Sequence, residues 1–188
     1  MKYRYTGRNQ DKIIDRLDKK EKKESLKRDR FFKFKLSEIH NKVSQELLLD
    51  KIIETENPKA VSDLVMQGLT RAYKSNEFDF KFFIAPIRTL IPQPNSYALY
   101  LTQYILEVII DDPNVIDVYG TDLEIYTLID KIIRGINERF ERSEREIAEQ
   151  LSHNKSLVPG SQDYEIALEQ LFNKKMGTNT LPSKDFQK

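Results

Sequence analysis

Ser96-Tyr97-Ala98-Leu99-Tyr100-Leu101-Thr102-Gln103-Tyr104-Ile105-Leu106-Glu107-Val108-Ile109-Ile110 is apolar nearly all round, interrupted by Thr102, Gln103 and Glu107. A helix with no polar side has to be covered on every side, so the stretch predicts a central core helix over about 96–111. Its apolar part, Tyr97 to Ile110, falls short of the roughly 20 residues a membrane-spanning helix needs. Pro92-Gln93-Pro94-Asn95 ends whatever precedes it, because each proline removes a backbone donor and biases its predecessor away from the helical region.

Downstream, Pro113-Asn114 turns the chain, and Val115-Ile116-Asp117-Val118-Tyr119 is β-branched enough to predict a short strand over about 115–119. Thr121-Asp122-Leu123-Glu124 then reads as a capping box, with Thr accepting from the third helical amide and Glu reaching back. Ile125, Leu128, Ile129, Ile132, Ile133, Ile136 and Phe140 follow at helical spacing, so a helix is expected to about 151. Its second half, Asn137 to Gln150, is mostly charged and is expected to project from the body. Residues 152–176 read as a linker containing Pro159-Gly160 and a short amphipathic helix, and 177–188 as a disordered tail.

Upstream, Phe78 to Ile91 is dense in apolar residues and predicts a helix over about 78–91. Asn57-Pro58 marks a helix start, since proline at the first helical position loses an amide that would be unpaired anyway, and that helix reaches about Lys74. Ser37 reads as a cap for a helix over about 38–55. Phe32, Phe34 and Leu36 alternate with period two, which predicts a short extended segment over about 31–36. The fold class that results is mainly α: one helical core domain over 31–151, with about five or six helices in the chain and at most one or two short strands.

Residues 1–30 form a mixed-charge basic arm that buries little and is expected to be mobile. The chain as a whole has 31 Lys or Arg against 30 Asp or Glu, a net of +1. That near-neutral total is the sum of unlike parts. Residues 1–35 hold 14 cations and 6 acids, a net of +8, residues 36–152 carry −8 and residues 153–188 carry +1.

Several chemistries are excluded. There is no cysteine, so disulfides, thiolate catalysis and Cys-ligated metals are out. The six glycines form no phosphate-cradling loop, and His40 and His153 match no ligand spacing. The acids around Asp112 and Asp117 fail the calcium-loop pattern in every register, and no serine sits in a nucleophile elbow. No cofactor is implied. The basic arm lacks the apolar run of about 7–15 residues of a secretory signal, and a reducing, cytoplasmic location is the expectation.

What remains is charge. Residues 89–130 contain seven acids and no Lys or Arg; Glu107, Asp111, Asp112 and Asp117 are the candidate partner-binding residues. Asp111 and Asp112 end a helix, the wrong end for its dipole, which suits a surface meant for something positive. The leading expectation is a non-catalytic interaction protein that binds another macromolecule, with a protein partner expected first, using the acidic 107–130 surface and the projecting Glu/Arg helix as docking faces. A second is an RNA- or DNA-binding accessory protein using Arg4, Arg8, Arg28, Arg30, Lys33 and Lys35, where cations are interleaved with aromatics as single-strand binders require. The same Phe/Lys cluster would also suit a membrane surface. A third expectation is a helical Mg²⁺-dependent nucleotide hydrolase built on Glu107 and Asp111, which share a helix face.

Overall fold

A computed structural model of the chain describes residues 8–74, 87–154 and 156–176. In chain order the elements are α1 (Arg8–Leu49), β1 (Ile53–Thr55), α2 (Pro58–Lys74), the single turn α3 (Ile87–Leu90), α4 (Ser96–Ile110), β2 (Val115–Val118), α5 (Asp122–Ser152) and α6 (Gln162–Met176). The fold is mainly α, with one small antiparallel ribbon, β1 against β2. No helix among the described residues is long and apolar enough to cross a membrane.

The central helix is α4. Ten of its fifteen side chains are buried, on all sides of the helix. Two hydrogen bonds join polar members within the helix: the Thr102 hydroxyl donates to the Ala98 carbonyl at 2.6 Å, and Gln103 Nε2 donates to Glu107 at 3.1 Å. Asn95 caps its start, accepting from the Tyr97 amide at 3.1 Å. The same residue ties α4 to α5, donating its backbone N–H to the Tyr126 hydroxyl and its Nδ2 to Asp130, both at 2.8 Å.

Helix α2 packs on α4 and α1, and α5 packs on α1, α4 and α6. At Gly68 the approach of α2 to α4 is so close that a Cβ would lie 2.8 Å from Ile105 Cα and 2.8 Å from the Tyr104 carbonyl oxygen. Both neighbours are backbone and cannot rotate away.

Two cap readings hold in detail. Thr121 and Glu124 form the capping box that starts α5, and Asn57 Oδ1 accepts from the Ala60 amide at 3.2 Å ahead of α2. The strand expected over 115–119 is present as Val115–Val118.

Three expectations are corrected. Residues 31–36 are not extended; they lie in the middle of α1, a single 42-residue helix that runs through Ser37 and through position 30 without a break. The apparent period of two arises because four helices close on this turn. Phe31 meets Phe140 of α5 edge-on at 5.4 Å, Phe32 meets Tyr73 of α2 and Tyr97 of α4, and Phe34 stacks on Phe172 of α6 at 5.6 Å. Adjacent residues are therefore buried on different sides of one helix.

The helix expected over 38–55 ends at Leu49. Lys51 turns the chain in the left-handed region, at φ 52°, with the Ile52 amide bonded to the Leu47 carbonyl and the Lys51 amide to the Leu48 carbonyl. This is the Schellman arrangement, usually completed by glycine, and it releases Ile53–Thr55 into β1. The far half of α5 does not project: Phe140, Ile147 and Leu151 are buried there beneath α6. The helix expected over 78–91 falls on the described residues only at Ile87–Leu90 and Ile91, and the tail expected from 177 lies outside them.

Gly68→Ala should lower the free energy of unfolding by about 1–3 kcal/mol, the usual range for an overpacked core. Gly135→Ala places its Cβ on α5 where nothing lies within 4 Å, and should raise it by about 0.5–1 kcal/mol. Urea denaturation of the two variants checks both signs.

Candidate partner-binding surface

The β-ribbon and the turns that flank it form one end of the body. The Tyr119 amide donates to the Ile52 carbonyl at 2.8 Å, and Ile53 then pairs with Val118, Glu54 with Asp117 and Thr55 with Val115, with an irregularity between Glu54 and Thr55. Gly120 closes the ribbon against the turn that follows α1 and the start of α5, since a Cβ there would sit 2.6 Å from Ile52 Cγ2 and 3.2 Å from Ile125 Cγ1. Thr55 fastens the other side, its hydroxyl donating to the Asn114 carbonyl at 2.7 Å and accepting from the Asn57 amide at 2.9 Å.

This end is strongly acidic. Residues 49–56 and 110–124 hold Asp50, Glu54, Glu56, Asp111, Asp112, Asp117, Asp122 and Glu124 against the single cation Lys51. None of the eight is ion-paired with a described cation; the ion pairs lie on the flanks and the far end of the body. Their bonds are local instead. Asp112 Oδ1 accepts from the amide and Nδ2 of Asn114, and Asp117 Oδ1 accepts from the Val118 amide at 2.8 Å. Glu54 accepts from the Tyr119 hydroxyl, and that bond holds the phenol above its ordinary range. Bonds from the Thr121 amide and hydroxyl hold Glu124 below the usual glutamate value, whereas burial raises Asp122. Glu54 and Asp117 stand directly opposite each other across the ribbon, where like charges destabilise a pair.

The same end is also apolar at its surface. Among the described residues nine large hydrophobic side chains are exposed, and five of them, Leu49, Ile110, Ile116, Tyr119 and Leu123, belong to it. Beside the ribbon a cleft of about 880 Å³ runs between the last turns of α1 and the first half of α5, with Ile52, Leu128 and Ile132 along its floor. The exposed apolar groups gain by leaving water, and the field of the acids around them attracts a group of positive charge.

Of the four acids expected to meet a partner, Asp111, Asp112 and Asp117 lie at this end. Glu107 does not join them as an exposed group; it is half-buried on α4 and bonded to Gln103. Among the described residues no three carboxylate or histidine side chains converge as a metal site requires. The exposed apolar residues and β1 were not singled out in the sequence, although Ile52-Ile53-Glu54-Thr55, following the Asp50-Lys51 turn, has the β-branched composition that signals a strand.

Comparison with known families supplies one match, over residues 84–179, to the family described as protein of unknown function (DUF507). The chain belongs to the DUF507 family. The match takes in α3, α4, β2, α5 and α6, and so includes the acids of β2 and its flanks, while α1, β1 and α2 precede it. No curated protein and no solved structure matches the chain.

The basic candidates of this DUF507 protein are placed differently. Arg4 lies outside the described residues and Arg8 opens α1, where only the backbone is described. Arg28 Nε is 3.5 Å from Asp29. Arg30 spans α5 and α6, reaching Glu144 at 3.2 Å and Glu165 at 3.4 Å; Lys33 pairs with Glu169, and Lys35 with Glu38 at 3.0 Å. The cations nearest the body thus already hold acids of α1, α5 and α6. Glu38 also takes Arg139 at 2.6 Å. Burial acts to raise its pKa, but the bonds from Lys35 and Arg139 outweigh it and leave the carboxyl below its usual value. Lys175 does the same to Glu146.

Two outcomes follow from these charges. Glu38, Glu124 and Glu146 bind protons less readily in the folded chain than in the unfolded one, so their contribution is complete at neutral pH and is lost as pH falls below about 4.5. Glu38→Gln should flatten that acid limb in denaturation midpoints measured from about pH 7 down to about pH 3. Asp117→Asn keeps the acceptor for Val118 and removes the opposed charge, and should stabilise the fold by about 0.5 kcal/mol, the scale of a cross-strand pair.

Proposed function

We propose that this protein is a non-catalytic binding module that docks a basic, amphipathic segment of a partner protein on the acidic ribbon end. The observation that carries the reading is the coincidence, within residues 49–56 and 110–124 at one end of the body, of five of the nine large hydrophobic side chains exposed among the described residues with eight acids and a single lysine. The charge supports a cationic partner, and the apolar groups support one with a hydrophobic face. An acidic surface alone would attract cations without holding them, since exposed pairs contribute about 0–1 kcal/mol each. Burying Ile116, Tyr119 and Leu123 under a partner stabilises the complex further, by about 25 cal/mol for each Å² of apolar surface removed from water. The opposed Glu54 and Asp117 fit the same reading, because a partner's lysine or arginine between them relieves a repulsion that the free protein bears.

The test is titration of the full-length protein with a labelled amphipathic peptide of about 18 Lys and Leu residues, alongside its Glu/Leu counterpart. The Lys/Leu peptide should bind and the Glu/Leu peptide should not. Glu54→Lys with Asp117→Lys, and separately Ile116→Ser with Leu123→Ser, should each weaken binding by about tenfold or more. Equal binding of both peptides, or indifference to both double variants, overturns the proposal.

A further inference from the structure

Helix α6 is the last described element of the body. It follows the connection 153–161, which turns at Gly160 with φ 87°, and only two of its fifteen side chains, Leu168 and Phe172, are buried. The site it covers is nonetheless well defined. Phe172 is fully buried, with its ring stacked between Phe34 of α1 and Phe140 of α5, each at 5.6 Å between centroids, and the Arg30 guanidinium lies 5.1 Å over it. One and two turns before Phe172, Glu169 and Glu165 meet Lys33 and Arg30. Glu165, Leu168, Glu169 and Phe172 recur at the three- and four-residue spacing that puts them on one face of a helix.

The groove between α1 and α5 therefore displays its own recognition rule. It takes a helix with two acids one turn apart and an aromatic ring one turn further on, and it reads the acids with cations from the basic segment of α1 and the ring with two phenylalanines. We infer that this groove is a second protein-binding site, for an acidic amphipathic helix with an aromatic anchor, and that α6 is the resident occupant which such a helix displaces. The site is separate from the ribbon end, and its α1 wall offers Arg30 and Lys33 to the acids of the occupant. The attachment of α6 suits exchange. The carboxylates of its pairs with Arg30 and Lys33 are solvent-exposed, where such pairs contribute little, and Phe172 is its one fully buried side chain, with Leu168 buried and Tyr164, Ala167, Leu171 and Met176 half-buried around it. A segment tethered beside its site competes at a high local concentration, so the free protein should bind an incoming helix weakly until α6 is loosened.

The probe is a labelled peptide of residues 160–176, titrated by fluorescence anisotropy into the full-length protein and two variants. Glu165→Gln with Glu169→Gln removes the acids of α6 and leaves Phe172 in place; Phe172→Ala removes the anchor. Binding should tighten about tenfold or more in each variant relative to the unaltered chain, because the competing occupant is weakened. A peptide carrying the Phe172→Ala change should lose that binding. Circular dichroism confirms that the Gln variant keeps its helices, so its result stands even where loss of Phe172 unfolds the chain. Equal peptide affinity in the unaltered and Gln-variant proteins overturns the proposal. A labelled oligothymidylate that binds the Gln variant while the peptide does not overturns it in favour of nucleic acid on the same cations.

Discussion

The contact of α2 with α4 at Gly68 sets the geometry of the body. A Cβ at that position would fall 2.8 Å from backbone atoms of Tyr104 and Ile105, so the two helices are spaced by main chain rather than by side chains. That spacing lets α4 bury ten residues around its whole circumference, at roughly 1.5–3 kcal/mol for each large apolar side chain removed from water. Every other long helix then packs on α4 or on a helix that does, and Thr102 and Gln103 of α4 make hydrogen bonds within the helix. Had α4 been pushed outward by a methyl group, the Asn95 bonds to Tyr126 and Asp130 that tie it to α5 would be strained as well.

Much of this was legible from local chemistry. The all-round apolarity of 96–110 and the Thr121 to Glu124 capping box are properties of short stretches, and both translate directly into α4 and the start of α5. What depends on distant partners was not legible. Phe31, Phe32 and Phe34 are all buried because helices from four parts of the chain meet there, and their spacing alone imitates a strand. Ile53–Thr55 is extended because β2, about sixty residues away, pairs with it. Of the candidate surface, Asp111, Asp112 and Asp117 could be read from the absence of neighbouring cations. The exposure of Ile116, Tyr119 and Leu123 could not, since residue type states a preference for burial and the fold decides whether it is met. For Arg30 and Lys33 the residue types were visible and the acids that occupy them were not.

The distribution of charge is thus resolved into two different arrangements. At the ribbon end the acids have no described cationic partner and are accompanied by exposed apolar groups. Along α1, α5 and α6 opposite charges are brought together, with Glu38, Glu144, Glu165 and Glu169 facing Lys27, Arg30, Lys33, Lys35 and Arg139. A net charge of +1 describes neither. The first arrangement leaves electrostatic demand unmet, and the second uses charge to hold helices together.

The single helix α1 has a further consequence, which is one of reach. Forty-two residues at about 1.5 Å each make a rod about 63 Å long, roughly twice the diameter of a small domain. The acidic end lies at its C-terminus and the densest run of lysines in its N-terminal half. A compact partner can therefore touch one or the other, and only an elongated one, or a pair of partners, can engage both at once. The helix acts as a ruler that keeps the molecule's opposite charges from being satisfied by the same small neighbour.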